Sequence, residues 1–363
     1  MNNAQAMYAL NLDQIATAIK AGGRKRTVLV QGHMGTGKST LLKMLAEELP
    51  DHTACYFDCT TKDLGDISIP KLNTLDGEDY VAYATNEELG VHLDKPIILM
   101  VDEYGKANPS VKNAMLRLML ERKMGSRELH PDSLIFATTN LGAEGVGDLL
   151  PPHARNRMTV VTSRKPTNME WVAWGINNGI DHSLLGWCKD NPQLFQSFDE
   201  VKDPEANPYI YHPKQQRAAF VTPRSLEAAS DWLKERHAYD DQTLTSVLMG
   251  TVGDRGAMDL MAFVRLADQL PSLESIKNDP ANATVPSSAS AVCMVVYRAL
   301  ATLEANWIDA WMTYMDRLDK EAQGLFANGV RAPKYGKQAL VMTNKLFTAW
   351  ALNHSYLFAA DKK

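Results

Sequence analysis

The run Gly32-His33-Met34-Gly35-Thr36-Gly37-Lys38-Ser39 constrains this chain more than any other stretch. It fits G-x-x-x-x-G-K-[ST], and its setting matters more than its letters. A short β-type run, Thr27 to Gln31, precedes it, and an amphipathic helical stretch, Ser39 to Leu49, follows and stops at Pro50. Strand, glycine loop and helix in that order make a phosphate cradle. Glycines let backbone N–H groups wrap around phosphate oxygens, and the helix N-terminus adds a favourable dipole. Gly32, Gly35, Thr36, Gly37, Lys38, Ser39 and Thr40 are therefore expected to hold ATP. Lys38 is expected to reach the β- and γ-phosphates, and the Ser39 hydroxyl to coordinate Mg²⁺.

Two further runs complete a site. Ile97 to Val101 (IILMV) is a continuous apolar run of strand length, the pattern of a strand buried on both faces of a parallel sheet. It delivers Asp102 and Glu103 at its C-terminal end, where α/β sheets bind ligands. Asp102 is expected to hold Mg²⁺ through water as the partner of Ser39. Glu103 is expected to polarise the attacking water as a general base. The third run, LIFATT, is another apolar strand and ends in Asn140. An uncharged amide there can orient water near the γ-phosphate without repelling it.

Around these motifs the chain alternates. Leu12 to Lys20 reads as a helix, Ala54 to Asp58 as a strand, Pro109 to Glu121 as a helix and Met158 to Thr162 as a fifth strand. Residues 60 to 92 show no sustained period and read as a helix interrupted by a loop or small hairpin. Lys123 to Asp132 reads as a hairpin. Alternation then stops. Asn168 to Lys189 and Pro223 to Arg236 read as helices, followed by helical patches at 244–249, 258–270, 291–305, 307–326 and 340–357 and a Pro/Ser-rich connector at 278–290. The fold class is α/β, a parallel sheet flanked by helices, followed by an all-α part.

Bulk properties narrow the partners. A net charge of −5 supplies no overall basic field for nucleic acid or anionic membrane. No run of about 18 apolar residues occurs, and the N-terminus lacks a secretory pattern, so a cytoplasmic protein is expected. Cys55, Cys59, Cys188 and Cys293 have no zinc spacing and read as reduced, buried or half-buried thiols. Trp171, Trp174, Trp307, Trp311 and Trp350 read as core, since base stacking would need interleaved Lys and Arg. His33 and His130 are expected to face solvent.

The order GHMGTGKS, IILMVDE, FATTN, then Arg155 and Arg157, then Thr222-Pro223-Arg224 resembles the AAA+ superfamily over about residues 10 to 236. Within it the chain is most similar to the MoxR-type ATPases, related to the gas-vesicle and Rubisco-activase ATPases of bacteria. Two departures stand out: His33-Met34 replaces a Pro before Gly, and Tyr104-Gly105-Lys106 replaces Ile-Asn-Arg. The resemblance implies an AAA+ α/β domain at 1–165, a helical lid at 166–240 and a helical C-terminal extension at 241–363. It implies a homo-oligomer, a hexamer with ATP between neighbours. It also gives Asn140 the sensor-1 role and Arg224 the sensor-2 role. Arg157 matches the finger that reaches a neighbour's γ-phosphate, with Arg155 as rival. Guanidinium suits these roles because it stays charged and forks onto phosphate oxygens.

The resemblance further implies a MoxR-like chaperone that remodels or activates a protein client, with a von Willebrand-type domain protein as one candidate. In that family the stretches 63–79 and 123–132 face the central pore. The alternative is a nucleic-acid motor or restriction-type AAA+ ATPase. Stretch 63–79 carries one lysine against five acidic residues, a poor track for phosphates.

Overall fold

The structure, a computed structural model, describes residues 8–140, 156–333 and 335–357. Residues 1–165 and 166–363 form two compact units.

In the first unit, helix α1 (Leu12–Gly22) opens on a capping box in which Asn11 and Gln14 satisfy each other's backbone N–H. Strand β1 (Val28–Gly32) then leads through the glycine loop into α2 (Thr40–Glu48), and β2 (Thr53–Asp58) follows. After β3 (Ser68–Leu75) and β4 (Glu78–Thr85) come β5 (Ile97–Asp102) and α3 (Pro109–Glu121). Short strands β6 (Lys123–Met124) and β7 (Arg127–Glu128) pair as the expected hairpin, and β8 (Leu134–Asn140) and β9 (Thr159–Ser163) complete the unit.

Five strands form one parallel sheet in the order β2-β5-β8-β1-β9. Alternate residues of the central strands β1, β5 and β8 enter opposite cores, as the period of two requires. Leu99, Val101, Ile135 and Ala137 pack with Val111, Met115, Leu118 and Met119 of α3. Ile98, Met100, Val30 and Phe136 pack with Ile15 and Ile19 of α1 and with Leu41 and Leu45 of α2. Burial on both faces explains why β5 and β8 read as unbroken apolar runs.

The stretch 60–92 holds the small hairpin that its reading allowed, and no α-helix around it. It contains a 3₁₀ turn, Leu64–Asp66, and an antiparallel hairpin, β3–β4, turning through Asp76 and Gly77 at φ 52° and 86°. Paired left-handed residues give the tight turn that matches strand twist. The alternation that would betray these strands is missing because both faces meet solvent: Ile69, Leu72, Leu75, Tyr80, Val81 and Tyr83 are all exposed. The base is closed, since Asn86 donates from its backbone N–H to the Ile67 carbonyl at 3.2 Å and from its side chain to the Asp66 carbonyl at 2.7 Å.

The second unit is helical among its described residues. Helices α4 (Asn168–Asn177), α5 (His182–Asp190), α6 (Pro223–Lys234), α7 (Asp241–Val252) and α8 (Asp254–Ala267) are followed by the short α9 (Leu273–Asn278). Then come α10 (Ala289–Thr302), α11 (Ile308–Met315), α12 (Lys320–Arg331), α13 (Gln338–Met342) and α14 (Lys345–Asn353). One cluster of buried residues runs from Trp171 to Trp350 and includes Trp187, Leu226, Leu260, Trp307, Trp311 and Phe326. The tryptophans are core, as expected, with Trp174 partly buried against the cluster. All four cysteines are free and buried. No described helix is long and apolar enough to cross a membrane.

Candidate active site

The site lies where β1, β8 and β5 end. Register sets its levels: Gly32 pairs with Asn140 on one side and Ser163 on the other, and Val101 pairs with Ala137. A Cβ on Gly32 would come within 3.0 Å of the Ser163 side chain, so the strand exit admits only glycine without a shift. Gly35 and Gly37 take left-handed backbone at φ 69° and 86°, which curls the loop back on itself. The buried Thr36 hydroxyl donates to the His33 carbonyl at 3.0 Å. Ser39 is the N-cap residue of α2 with helical backbone, and its side chain makes no capping bond. Helix α2 starts as Thr40 donates its N–H to the Gly37 carbonyl at 2.9 Å.

Lys38 is only 7% exposed. Its ammonium donates to the carbonyls of Gly32 at 2.9 Å and His33 at 2.7 Å, and to Oδ1 of Asn140 at 2.9 Å. Burying a cation demands partners of this kind. Asn140 passes the connection on, its Nδ2 donating to Oε1 of Glu103 at 3.3 Å. Lys106 grips the same oxygen at 3.1 Å. The other carboxylate oxygen of Glu103, Oε2, is buried and has no hydrogen-bond partner among the described residues. Lys38, Asn140, Glu103 and Lys106 thus form one connected line.

Asp102 is buried beside it. The Tyr56 hydroxyl donates to its Oδ2 at 2.9 Å, and the Thr138 hydroxyl donates to its Oδ1. Burial, then the hydrogen bond and charge of Asp102, push the Tyr56 phenol well above its ordinary range, so it stays a donor. Glu103 donates its backbone N–H to Thr138 Oγ1 at 3.2 Å and sits at φ 50°, ψ 34°, in the left-handed region.

The structure therefore brings Lys38, Asn140, Glu103 and Asp102 together. Arg157 is not part of this network; it is exposed in the turn before β9. Arg155 lies outside the described residues. Arg224 belongs to the second unit, exposed in the first turn of α6, whose capping box is Thr222 and Ser225. His33 corrects its expected exposure: it is 3% exposed, because its own carbonyl is drawn into the loop by Lys38 and Thr36. His130 is half-buried, its Nδ1 accepting from the Asp132 N–H at 3.3 Å. Sequence reasoning gave no role to Tyr56, Thr138 or Lys106. Thr138 could have been found two residues before Asn140, on the same strand face, and Lys106 three residues after Glu103. Tyr56 carries no local signal, since its relation to Asp102 depends on strand pairing.

Residues 28–165 match the family of ATPases associated with various cellular activities, AAA, and are an AAA ATPase domain. Among curated proteins, none matches the sequence. Among solved structures, the chain is similar to the Thermotoga maritima RuvB Holliday junction branch migration motor. The identity is 14%, with 71% of this chain and 70% of that chain covered and a TM-score of 0.36. A proline-to-glycine mutant of that protein gives 17% identity, 74% and 75% coverage and a TM-score of 0.37. A Cytophaga hutchinsonii protein described as a candidate ATPase gives 11% identity, 88% and 82% coverage and a TM-score of 0.35. Likeness at this level says nothing of substrate or partner.

Proposed function

We propose that this ATPase domain drives a Mg²⁺-dependent ring that remodels a protein client, with Glu103 as general base. The observation that carries the chemistry is the Glu103 carboxylate: one oxygen is held by Asn140 and Lys106, and the other is buried without a partner among the described residues. A buried acceptor left unpaired costs about 1–3 kcal/mol, and a water at that oxygen relieves the cost. Such a water, held between Oε2 and the Asn140 amide, is the nucleophile this reading requires.

Phosphate oxygens compete for Lys38 with the carbonyls and amide that now hold it, so nucleotide binding replaces an internal set of acceptors by an ionic one. Lys38 then stays beside the γ-phosphate. Asn140, released from Lys38, turns its amide toward the water. The residues also fit Mg²⁺. Among the described residues no three His, Cys, Asp or Glu side chains cluster as a metal cage. Mg²⁺ at a P-loop needs none, because phosphate and water supply most of its ligands. The Ser39 hydroxyl and the Asp102 carboxylate, oriented by Tyr56 and Thr138, would complete its shell. When bound, the ion neutralises charge on the phosphates.

Arg157 supports the ring in this reading. An exposed guanidinium beside β9 suits a finger offered to a neighbouring copy, and the AAA+ resemblance makes that ring a hexamer. Arg224 is assigned to the nucleotide on the same resemblance. For the client, the supporting feature is hairpin β3–β4, which exposes six large apolar side chains within an acidic stretch. Exposed apolar surface of this kind marks contact with protein. Phosphate tracks need cations.

The test is Glu103→Gln. This variant should bind nucleotide as the wild type does and lose about 10²–10⁴-fold in turnover, measured by equilibrium binding and steady-state phosphate release. Normal turnover would remove Glu103 from the mechanism. Adding DNA should leave wild-type turnover unchanged, and a several-fold, salt-sensitive acceleration would replace the protein client by nucleic acid.

A further inference from the structure

Residues 103–107 are built around one side chain. A 3₁₀ turn starts at Glu103, with Lys106 donating its N–H to the Glu103 carbonyl at 2.8 Å and Ala107 donating to the Tyr104 carbonyl at 3.3 Å. With three residues per turn, positions i and i+3 stack, so the fourth residue lies over the first. Each intervening residue fixes the turn. Tyr104 is buried, and its hydroxyl donates to the Lys112 carbonyl at 3.0 Å, tying the turn to α3. Gly105 packs against β8 so closely that a Cβ there would fall 2.1 Å from Thr139 Oγ1. Tyr104-Gly105-Lys106 is therefore one device: an anchor, a contact that only glycine permits, and a cation delivered to Glu103.

We infer that Lys106 is a positioning residue for ATP hydrolysis, holding Oε1 of Glu103 so that Oε2 alone accepts the proton of the attacking water. The inference rests on Glu103 being the base. Two donors share Oε1, but they are not equivalent. Asn140 is also bound to Lys38, and its amide is redirected when phosphate claims that lysine. Among the described residues Lys106 has no such competing tie to the phosphate-binding loop. It keeps its grip while the rest of the network is rearranged. A partly exposed ion pair contributes little to stability, since solvent screens it. Its value here is orientation, and a misplacement of about 1 Å at a reacting group can cost as much as 10²-fold in rate.

The experiment compares wild type, Lys106→Met, Lys106→Arg, Glu103→Gln and the Glu103→Gln/Lys106→Met double variant by nucleotide binding and by steady-state and single-turnover hydrolysis. Lys106→Met should lower kcat about tenfold while KM and nucleotide affinity stay within about twofold, the signature of a contact used only during the chemical step. Lys106→Arg keeps the cation and should restore most of the rate. In the Glu103→Gln background Lys106→Met should remove nothing further, because the lysine acts through the carboxylate. Unchanged or faster turnover in Lys106→Met would overturn the assignment. So would an arginine variant as slow as the methionine one, or a rate loss accompanied by an equal loss of nucleotide affinity. An active Glu103→Gln protein would instead sink the general-base reading itself, and the two failures are told apart by that single variant.

Discussion

The two units of this chain spend their polar groups differently. In the helical unit, charged side chains close structural ends. Asp181 caps α5 by accepting from the Ser183 N–H at 2.8 Å, and Arg236 spans Asp181 at 3.4 Å and Asp268 at 2.8 Å. Its buried atoms without partners among the described residues include the indole N–H groups of Trp187 and Trp311, enclosed by apolar side chains. In the α/β unit, Lys38, Asn140, Glu103 and Asp102 gather at the ends of strands, beside glycines that leave room for something else. Polar groups that terminate helices are architecture. Polar groups linked in series at a strand exit, with one carboxylate oxygen left over, are chemistry.

Activity and stability should therefore respond in opposite units. The largest effect is expected at Arg157. Arg157→Ala should bind nucleotide, keep its melting temperature and lose about 10³–10⁵-fold in turnover, the worth of an arginine finger. Mixing it with Lys38→Ala should restore part of the activity, because some interfaces then join an intact loop to an intact finger. Absence of recovery in rings shown to be mixed would take the finger away from Arg157.

Trp311→Ala should do the reverse. Trp311 is fully buried among Trp307, Tyr314 and Phe326, with ring centroids at 6.4, 5.9 and 5.5 Å. Its loss should cost about 3–5 kcal/mol in urea unfolding, while kcat per folded molecule is unchanged. A matching drop in kcat would show that the helical core is coupled to the chemical step, and the contrast between the units would fail. The smallest effect is expected from replacing residues 68–85 by a short Gly-Ser linker. No residue of β3 or β4 is buried, and the base is already closed at Ile67 and Asn86. Unfolding free energy should move by less than about 0.5 kcal/mol, with basal turnover kept and any stimulation by a client lost. A large destabilisation would make the hairpin part of the fold.

How much of this was legible in the sequence depended on what fixes each feature. The glycine loop, Asp102-Glu103 and Asn140 were readable because strand ends and fixed spacing determine them. Strands β5 and β8 were readable because both their faces are buried. Hairpin β3–β4 was readable only in part, as one alternative inside an expected helix, since exposed strands need no alternation, although Asp76-Gly77 is a strong turn signal. Tyr56 escaped because its bond to Asp102 crosses from β2 to β5, and pairing is a property of the sheet. The helical patches of the second unit marked its core but no site, since an amphipathic stripe encodes burial alone. Arg157 and Arg224 rest on the order of motifs.

The left-handed backbone at Glu103 has a consequence for how such a protein changes over generations. An L-residue with a Cβ gives up roughly 1–2 kcal/mol in that conformation, and glycine gives up nearly none. Position 103 is thus a place where hardiness and work are opposed in a single codon. Lineages propagated under heat alone, and sequenced as they adapt, should accumulate glycine there and fall silent as they grow tougher; lineages required to turn over ATP should keep the strained glutamate.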